Sequence, residues 1–100
     1  MAVRISGFQW DRGNWPKCGK HGVSRAEIET LFRGDFVVHP DFKHSGDEER
    51  HFAIGSITQG RWLLIVFTLR EVAGETLIRP LSARYMHKKE IEHYEQQKDA

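Results

Sequence analysis

One run of apolar residues constrains the fold of this chain more than any other feature. Residues 61–70 read Arg-Trp-Leu-Leu-Ile-Val-Phe-Thr-Leu-Arg and are apolar at nearly every position between the two arginines. A strand that is apolar almost throughout is typically buried on both of its faces. We therefore predict that this segment is the central strand of a sheet. The chain has 100 residues, enough for one hydrophobic core, so we expect a single domain over residues 1–100.

A helix is predicted from Ser24 to Gly34. Ser24 and Glu27 have the spacing of a capping box, in which each side chain accepts a hydrogen bond from the other residue's backbone amide. Ile28 and Leu31 then follow at helical spacing on one face, and Gly34 is a typical residue at the end of a helix.

The other segments predict further strands at residues 3–10, 36–39, 51–58 and 76–84, and a mostly polar helix at residues 87–98. Pro80 cannot donate a hydrogen bond to a neighbouring strand, which indicates a bulge or an edge position. Strands joined by short turns favour an antiparallel meander. The prediction is an α+β fold with an antiparallel sheet of about five strands and helices on one side.

The charge balance argues against a protein that coats nucleic acid by bulk charge. Lysine and arginine total 15 and aspartate and glutamate total 14, giving a formal net charge of +1. A local basic site remains compatible with that sum, because the charges are expected to be segregated: the acidic residues fall mainly at residues 41–49 and in the two helices, whereas several arginines fall on strands or at their ends. The single cysteine cannot form an internal disulfide, and the longest apolar run is far too short to span a membrane. We expect a cytoplasmic protein with no membrane association.

A first candidate site is the pair Lys20 and His21, in a loop that is rich in glycine. Histidine titrates near neutral pH and can transfer protons during a reaction, while a neighbouring lysine can hold a phosphate. For an isolated pair of this kind, a surface-loop histidine without a functional role is the commoner case.

A second candidate site involves polar side chains on the two strands that follow. Thr68 and Arg70 end the apolar strand, and Ser82 and Arg84 lie on the next one. We expect Arg70 and Arg84 to converge from these adjacent strands, where their planar guanidinium forks would suit phosphate oxygens. Strict alternation along the strand would place Arg79 on the face opposite to that of Ser82 and Arg84. The alternative reading is that these arginines simply extend their charges into water.

Glu49, just before a predicted strand, is a candidate general base, although a solvated loop residue is the commoner case. The histidines at 39, 44, 51, 87 and 93 match no structural zinc pattern. We therefore expect no metal and no cofactor.

Taken together, these motifs resemble the BrnT family of toxins. The matching positions are residues 8–11, 13–18, 20–24, 48–50, 53–55, 61, 67–70, 78–79, 82–84, 90 and 94. The resemblance implies a RelE-like ribonuclease fold and the toxin role in a bacterial type II toxin–antitoxin pair. It implies a BrnA-like ribbon-helix-helix antitoxin as partner, with operator DNA bound only through that antitoxin. It also implies metal-independent RNA cleavage that inhibits translation.

The leading hypothesis is an endoribonuclease in which the 2′-hydroxyl of the RNA attacks the adjacent phosphate. The catalytic assignments are His21 and Glu49 for proton transfer and Arg70 and Arg84 for the phosphate. The RNA-binding assignments are Lys20, Thr68, Ser82 and Arg79. The alternative is a non-catalytic module whose arginines bind an acidic antitoxin segment within a DNA-binding autorepressor complex. A metal-dependent nuclease is a third reading.

Overall fold

The apolar run forms the middle strand of a five-stranded sheet with the order β1-β5-β4-β3-β2. The computed structural model describes residues 5–41, 46, 48–58 and 60–98. Its elements are β1 (Ile5–Phe8), a short 3-10 helix (Lys17–Gly19), α1 (Arg25–Arg33), β2 (Phe36–Pro40), β3 (His51–Thr58), β4 (Arg61–Val72), β5 (Glu75–Tyr85) and α2 (Lys88–Lys98). The predicted succession of strands and helices and the α+β class are confirmed. Residues 3 and 4 of the predicted first strand lie outside the described residues.

The sheet is mixed, because one of its edges departs from the expected antiparallel meander. Strands β2 to β5 pair antiparallel with their neighbours, whereas β1 pairs parallel with β5. Antiparallel pairing was expected for strands that are joined by short turns, but β1 is far in sequence from its neighbour β5. The chain that follows β1 passes through a long loop and α1 before it returns at the far edge of the sheet as β2.

The two faces of the sheet differ, and we name them by what lies on them. The helix face carries Leu63, Ile65 and Phe67 of β4, which form the core with Ile28 and Leu31 of α1. The open face carries the alternate side chains of β4, namely Trp62, Leu64, Val66, Thr68 and Arg70.

Helix α2 lies against the open face, whereas both helices were expected on one side. The Tyr94 ring packs edge-on against Trp62 at 5.4 Å between ring centres, and Glu90 binds Arg84. Both partners belong to the open face by register. The mostly polar composition of α2 fits this placement, since it has few apolar side chains to bury.

A bulge in β5 sets the orientation of the strand's second half. Val66 of β4 pairs with Ser82, but the next residue, Phe67, pairs with Pro80, so Leu81 is an extra residue in β5. The bulge expected at Pro80 is therefore present, in a strand that lies inside the sheet.

This bulge corrects the prediction for Arg79. Arg79 pairs with Thr68, and Arg84 pairs with Leu64. Thr68 and Leu64 share a face of β4, so Arg79 lies on the open face together with Ser82 and Arg84. Strict alternation placed Arg79 on the opposite face, and it was wrong because the extra residue shifts the alternation by one position.

Candidate active site

A buried asparagine fixes the glycine-containing loop against β5. The Asn14 side-chain amide donates to the carbonyl oxygens of Gln9 and Pro80, at 2.9 Å each. Its side-chain oxygen accepts from the amide of Asp11 at 2.9 Å. Cys18, in the 3-10 helix, belongs to the core, where burial raises the pKa of its thiol to about 11. The loop is thus anchored at Asn14 and Cys18, and His21 follows the second anchor by three residues.

His21, Ser82 and Arg84 line one shallow cavity on the open face. Its volume is about 300 Å³, and its floor is apolar, formed by Phe52, Leu64 and Val66. An imidazole, a hydroxyl and a guanidinium therefore line one open cavity.

A second cavity adjoins the first and contributes two further cationic side chains. It measures about 320 Å³, is lined by Lys17, Arg50 and Asp41, and shares Phe52, Val66 and Ser82 with its neighbour. We call the two cavities together the basic groove. Lys17 and Arg50 were not among the sequence candidates.

The sequence pattern could have placed Arg50 in the groove, but it could not have placed Lys17 there. Arg50 stands two residues before Phe52, and alternation along β3 directs both toward the open face. Lys17 lies in the 3-10 helix, whose orientation depends on the distant contact between Asn14 and Pro80.

Arg84 holds a carboxylate in this structure. Its two terminal nitrogens donate to the two oxygens of Glu90 at 2.8 and 2.9 Å. Glu90 also accepts from the amide of His87 at 2.9 Å. The hydrogen bonds from Arg84 are the largest cause of a lowered pKa of Glu90, about 2, and they raise the pKa of Arg84. The guanidinium fork is therefore presented to a planar oxyanion in the geometry that also suits phosphate.

Arg70 and Arg84 do not converge, although their positions on adjacent strands suggested that they would. Arg70 pairs with Leu77, and Arg84 pairs with Leu64. Leu64 and Arg70 are six residues apart along β4, which corresponds to about 20 Å. Because β4 and β5 run antiparallel, their C-terminal ends lie at opposite ends of the sheet. Arg70 instead binds Glu48 at 2.8 Å.

Thr68 and Glu49 meet through the backbone rather than in the basic groove. The Thr68 hydroxyl is buried and donates to the Glu49 carbonyl at 2.7 Å. It fixes the chain at the entrance to β3 and is committed to that contact. The Glu49 side chain is exposed and lines neither cavity of the basic groove.

Arg79 fastens the loop to the sheet. It donates to both carboxylate oxygens of Asp11 at 2.8 and 3.2 Å and to the Gln9 side chain at 3.1 Å. These bonds from Arg79 are the largest cause of a lowered pKa of Asp11. Only 11% of the Arg79 side chain is exposed, so the position fits a structural role. Lys20 is exposed at the end of the 3-10 helix, directly before His21.

Among the described residues, no group of three or more histidine, cysteine, aspartate or glutamate side chains is arranged to hold a metal ion. His44, one of the histidines weighed as a ligand, lies outside them. Neither α1 nor α2, the helices of the described chain, combines the length and the apolar composition of a membrane-spanning helix.

A family model described as "Ribonuclease toxin, BrnT, of type II toxin-antitoxin system" matches residues 10–90. The matched span begins at Trp10, includes both cavities of the basic groove, and ends at Glu90, the partner of Arg84. A search of curated proteins gave no match.

Proposed function

Because the chain belongs to the BrnT family of ribonuclease toxins of type II toxin–antitoxin systems, we propose that it is an endoribonuclease that cleaves RNA in the basic groove. The cleavage needs no metal ion and inhibits translation. The observation that carries this proposal is the meeting of His21, Ser82 and Arg84 around one cavity.

In this proposal, the groove binds RNA through charge and stacking. Arg84 binds the phosphate at the point of cleavage, and Lys17 and Arg50 each bind one of the phosphates that follow, along the adjoining cavity. The Phe52 ring lies between the two cavities, where a base can stack on it. Lys20 lies directly before His21 and adds positive charge at the rim.

The chemical step is a transfer of the phosphoryl group within the RNA. His21 accepts the proton of the 2′-hydroxyl, and the 2′-oxygen forms a bond to phosphorus. The bond between phosphorus and the 5′-oxygen breaks, and that oxygen receives the proton from the His21 imidazolium. The products are a 2′,3′-cyclic phosphate and a 5′-hydroxyl. Arg84 and the Ser82 hydroxyl stabilise the charge that develops on the phosphorane oxygens.

Two residues that the sequence suggested as catalytic, Glu49 and Arg70, lie outside the cavity in which this proposal places the chemical step. Glu49 and Arg70 lie beyond the basic groove, toward the other end of the open face. We assign neither of them to the chemical step. A longer RNA that follows the open face would reach Arg70 as a contact for a flanking phosphate.

We further propose that the antitoxin is a BrnA-like ribbon-helix-helix protein, which brings the complex to operator DNA. One observation also favours the non-catalytic alternative, in which the groove binds only an antitoxin. Arg84 already donates two hydrogen bonds to the Glu90 carboxylate, so an acidic antitoxin side chain fits the same place. An RNA cleavage assay with the purified chain distinguishes the two functions.

The test is RNA cleavage by purified protein in excess EDTA, with product ends identified by mass. We expect full activity with EDTA and cyclic phosphate ends. His21→Ala and Arg84→Ala should each lower kcat/KM at least about 100-fold, and Arg84→Lys should retain part of the activity. The matched controls are His39→Ala on β2 and Arg33→Ala on α1, where the arginine side chain is 71% exposed. Loss of activity in EDTA, or full activity in Arg84→Ala, contradicts the scheme.

A further inference from the structure

Strand β2 forms one edge of the described sheet and is unusually apolar for an edge. Phe36, Val37 and Val38 are 37%, 38% and 44% exposed. Edge strands offer unpaired backbone groups to other strands, and proteins commonly protect them with lysine, bulges or a covering segment. The register of β2 against β3 is regular over all five residues, and its sequence contains no lysine.

The structure shows which backbone groups of β2 point outward. The amide of Asp41 donates to the carbonyl of Arg50 at 2.9 Å, which makes these two residues a hydrogen-bonded pair. Such pairs alternate along an antiparallel ladder, so His39 and Val37 also bond inward to β3. The amide and carbonyl groups of Phe36 and Val38 therefore face away from the sheet.

Two neighbouring residues agree with that assignment. Pro40 has no amide hydrogen, and it occupies an outward position where β3 requires none. Phe36 lies opposite Gly55, and a Cβ added to Gly55 would be 3.2 Å from the Phe36 Cβ. That close approach is typical of the narrow, non-hydrogen-bonded pairs of an antiparallel sheet.

We propose that β2 pairs antiparallel with β2 of a second copy of this chain, centred on Val37. Phe36 then lies opposite the partner's Val38, and each such pair can exchange two backbone hydrogen bonds through its outward groups. Asp35 lies opposite the partner's His39. The two chains are related by a twofold axis, so both edges are used in the same way.

The sequence of the edge favours a second copy over an unrelated strand. Asp-Phe-Val-Val-His, residues 35–39, is complementary to itself when reversed. Its apolar residues face apolar residues, and a carboxylate acceptor faces an imidazole donor at each end. Phe36 and Val38 also line an apolar cavity of about 270 Å³ on the helix face, with Ile5 and Phe67. Pairing would extend this apolar surface across both copies.

The pairing would place both open faces on the same side of one ten-stranded sheet, because the twofold axis stands perpendicular to it. No residue of β2 lines the basic groove. Dimerisation and RNA cleavage are therefore separate readouts, and the failure of one leaves the other intact.

The test is the mass of the purified chain, without antitoxin, by sedimentation over a range of concentrations. We expect the mass to rise from 11.7 kDa toward twice that value. Val38→Pro removes one outward amide and leaves the inward ladder in place, so it should weaken association at least about tenfold. Val38→Thr keeps the amide and should dimerise like the unchanged chain. Circular dichroism confirms that each variant is folded.

Reversing the charges of the pair formed by Asp35 and the partner's His39 gives a second, independent test of the dimer. Asp35→Lys should weaken the dimer, and adding His39→Glu should restore it by reversing the pair. A chain that stays monomeric up to about 1 mM, or a dimer that Val38→Pro leaves unchanged, overturns the proposal. If Val38→Pro weakens antitoxin binding without changing the mass of the free chain, the edge belongs to the antitoxin and self-pairing is likewise overturned.

Discussion

Arg84 donates hydrogen bonds to the Glu90 carboxylate in the free chain. In our proposal, an RNA phosphate takes the place of that carboxylate. Both are oxyanions that accept two parallel hydrogen bonds from a guanidinium. Glu90 cannot be displaced by protonation at neutral pH, because its pKa is held at about 2 by the bonds from Arg84. In our proposal, RNA therefore competes with a fully charged carboxylate at Arg84, and Glu90 restrains its binding.

Removing that charge should strengthen RNA binding. Glu90→Gln keeps the shape of the side chain but weakens its bonds to Arg84, so we expect the Kd for RNA to fall by about 3- to 10-fold. The measurement is fluorescence anisotropy with a 2′-O-methyl RNA oligonucleotide, which lacks the attacking hydroxyl.

Glu92→Gln is the matched control, since Glu92 is exposed on the same helix. Unchanged or weaker binding by Glu90→Gln would mean that Glu90 positions Arg84 for RNA instead of competing with it.

At the scale of secondary structure elements, Glu27 joins α1 to the sheet. It completes the capping box with Ser24, and its carboxylate accepts from the Tyr85 hydroxyl at 2.8 Å and from Arg61 at 3.2 Å. The amide of Ser24 is the largest cause of a lowered pKa of Glu27, and the Tyr85 hydroxyl and Arg61 contribute as well. One carboxylate therefore holds the first turn of α1 against β4 and β5.

This arrangement predicts a stability that depends on pH. A carboxyl whose pKa is lowered in the folded state stabilises the protein above its unfolded pKa, about 4.3 for glutamate. That stabilisation is lost as the pH falls through the lowered value. Glu27→Gln should reduce the free energy of unfolding by about 1 kcal/mol at pH 7, and the deficit should shrink below pH 4.

Urea unfolding at pH 7 and at pH 3 measures both quantities. Glu95→Gln, at an exposed position on α2, should show no comparable change. A deficit for Glu27→Gln that is equal at both pH values would contradict the assigned cause.

The elements themselves were largely predictable from the sequence, because they depend on local patterns. The capping residues located α1, and the apolar run located β4 as the central strand. The side of the sheet that Arg79 occupies was not predictable, since it depends on one extra residue at the bulge. The separation of Arg70 from Arg84 was predictable, because the C-terminal ends of two antiparallel strands lie at opposite ends of the sheet. The expectation that the two arginines converge overlooked this consequence of antiparallel pairing.

At the scale of the whole molecule, the net charge of +1 hides a regular arrangement. We expected arginines and acidic residues to be segregated. Instead, three arginines of the open face each bind a carboxylate, in the pairs Arg70–Glu48, Arg79–Asp11 and Arg84–Glu90. The acidic partners come from distant or flanking segments, and the sequence pattern does not show which cation each will meet. Each of these pairs is locally neutral, and in our proposal the cations that bind RNA are confined to the basic groove, where Arg84 exchanges Glu90 for a phosphate.

RNA binding should therefore depend only moderately on salt. Contacts from Arg84, Arg50 and Lys17 to about three phosphates predict a slope of about −2 for log K against log salt concentration. Anisotropy titrations at several KCl concentrations measure the slope. Lys17→Ala should reduce its magnitude by about 0.7, whereas Arg33→Ala should leave it unchanged. A slope steeper than about −5 would indicate contacts over the whole open face.

The extra residue in β5 has a consequence for how such a protein tolerates change over generations. Deleting the codon for Leu81 removes the bulge but leaves Pro80 opposite Phe67 and Ser82 opposite Val66, so the other side chains of β5 keep their faces. Deleting Ala83 instead would place Arg84 opposite Ile65, on the helix face and away from the groove. A change in the length of β5 is therefore tolerable at the bulge but damaging among the paired residues, and viable descendants should gain or lose residues at Leu81 or outside the strand.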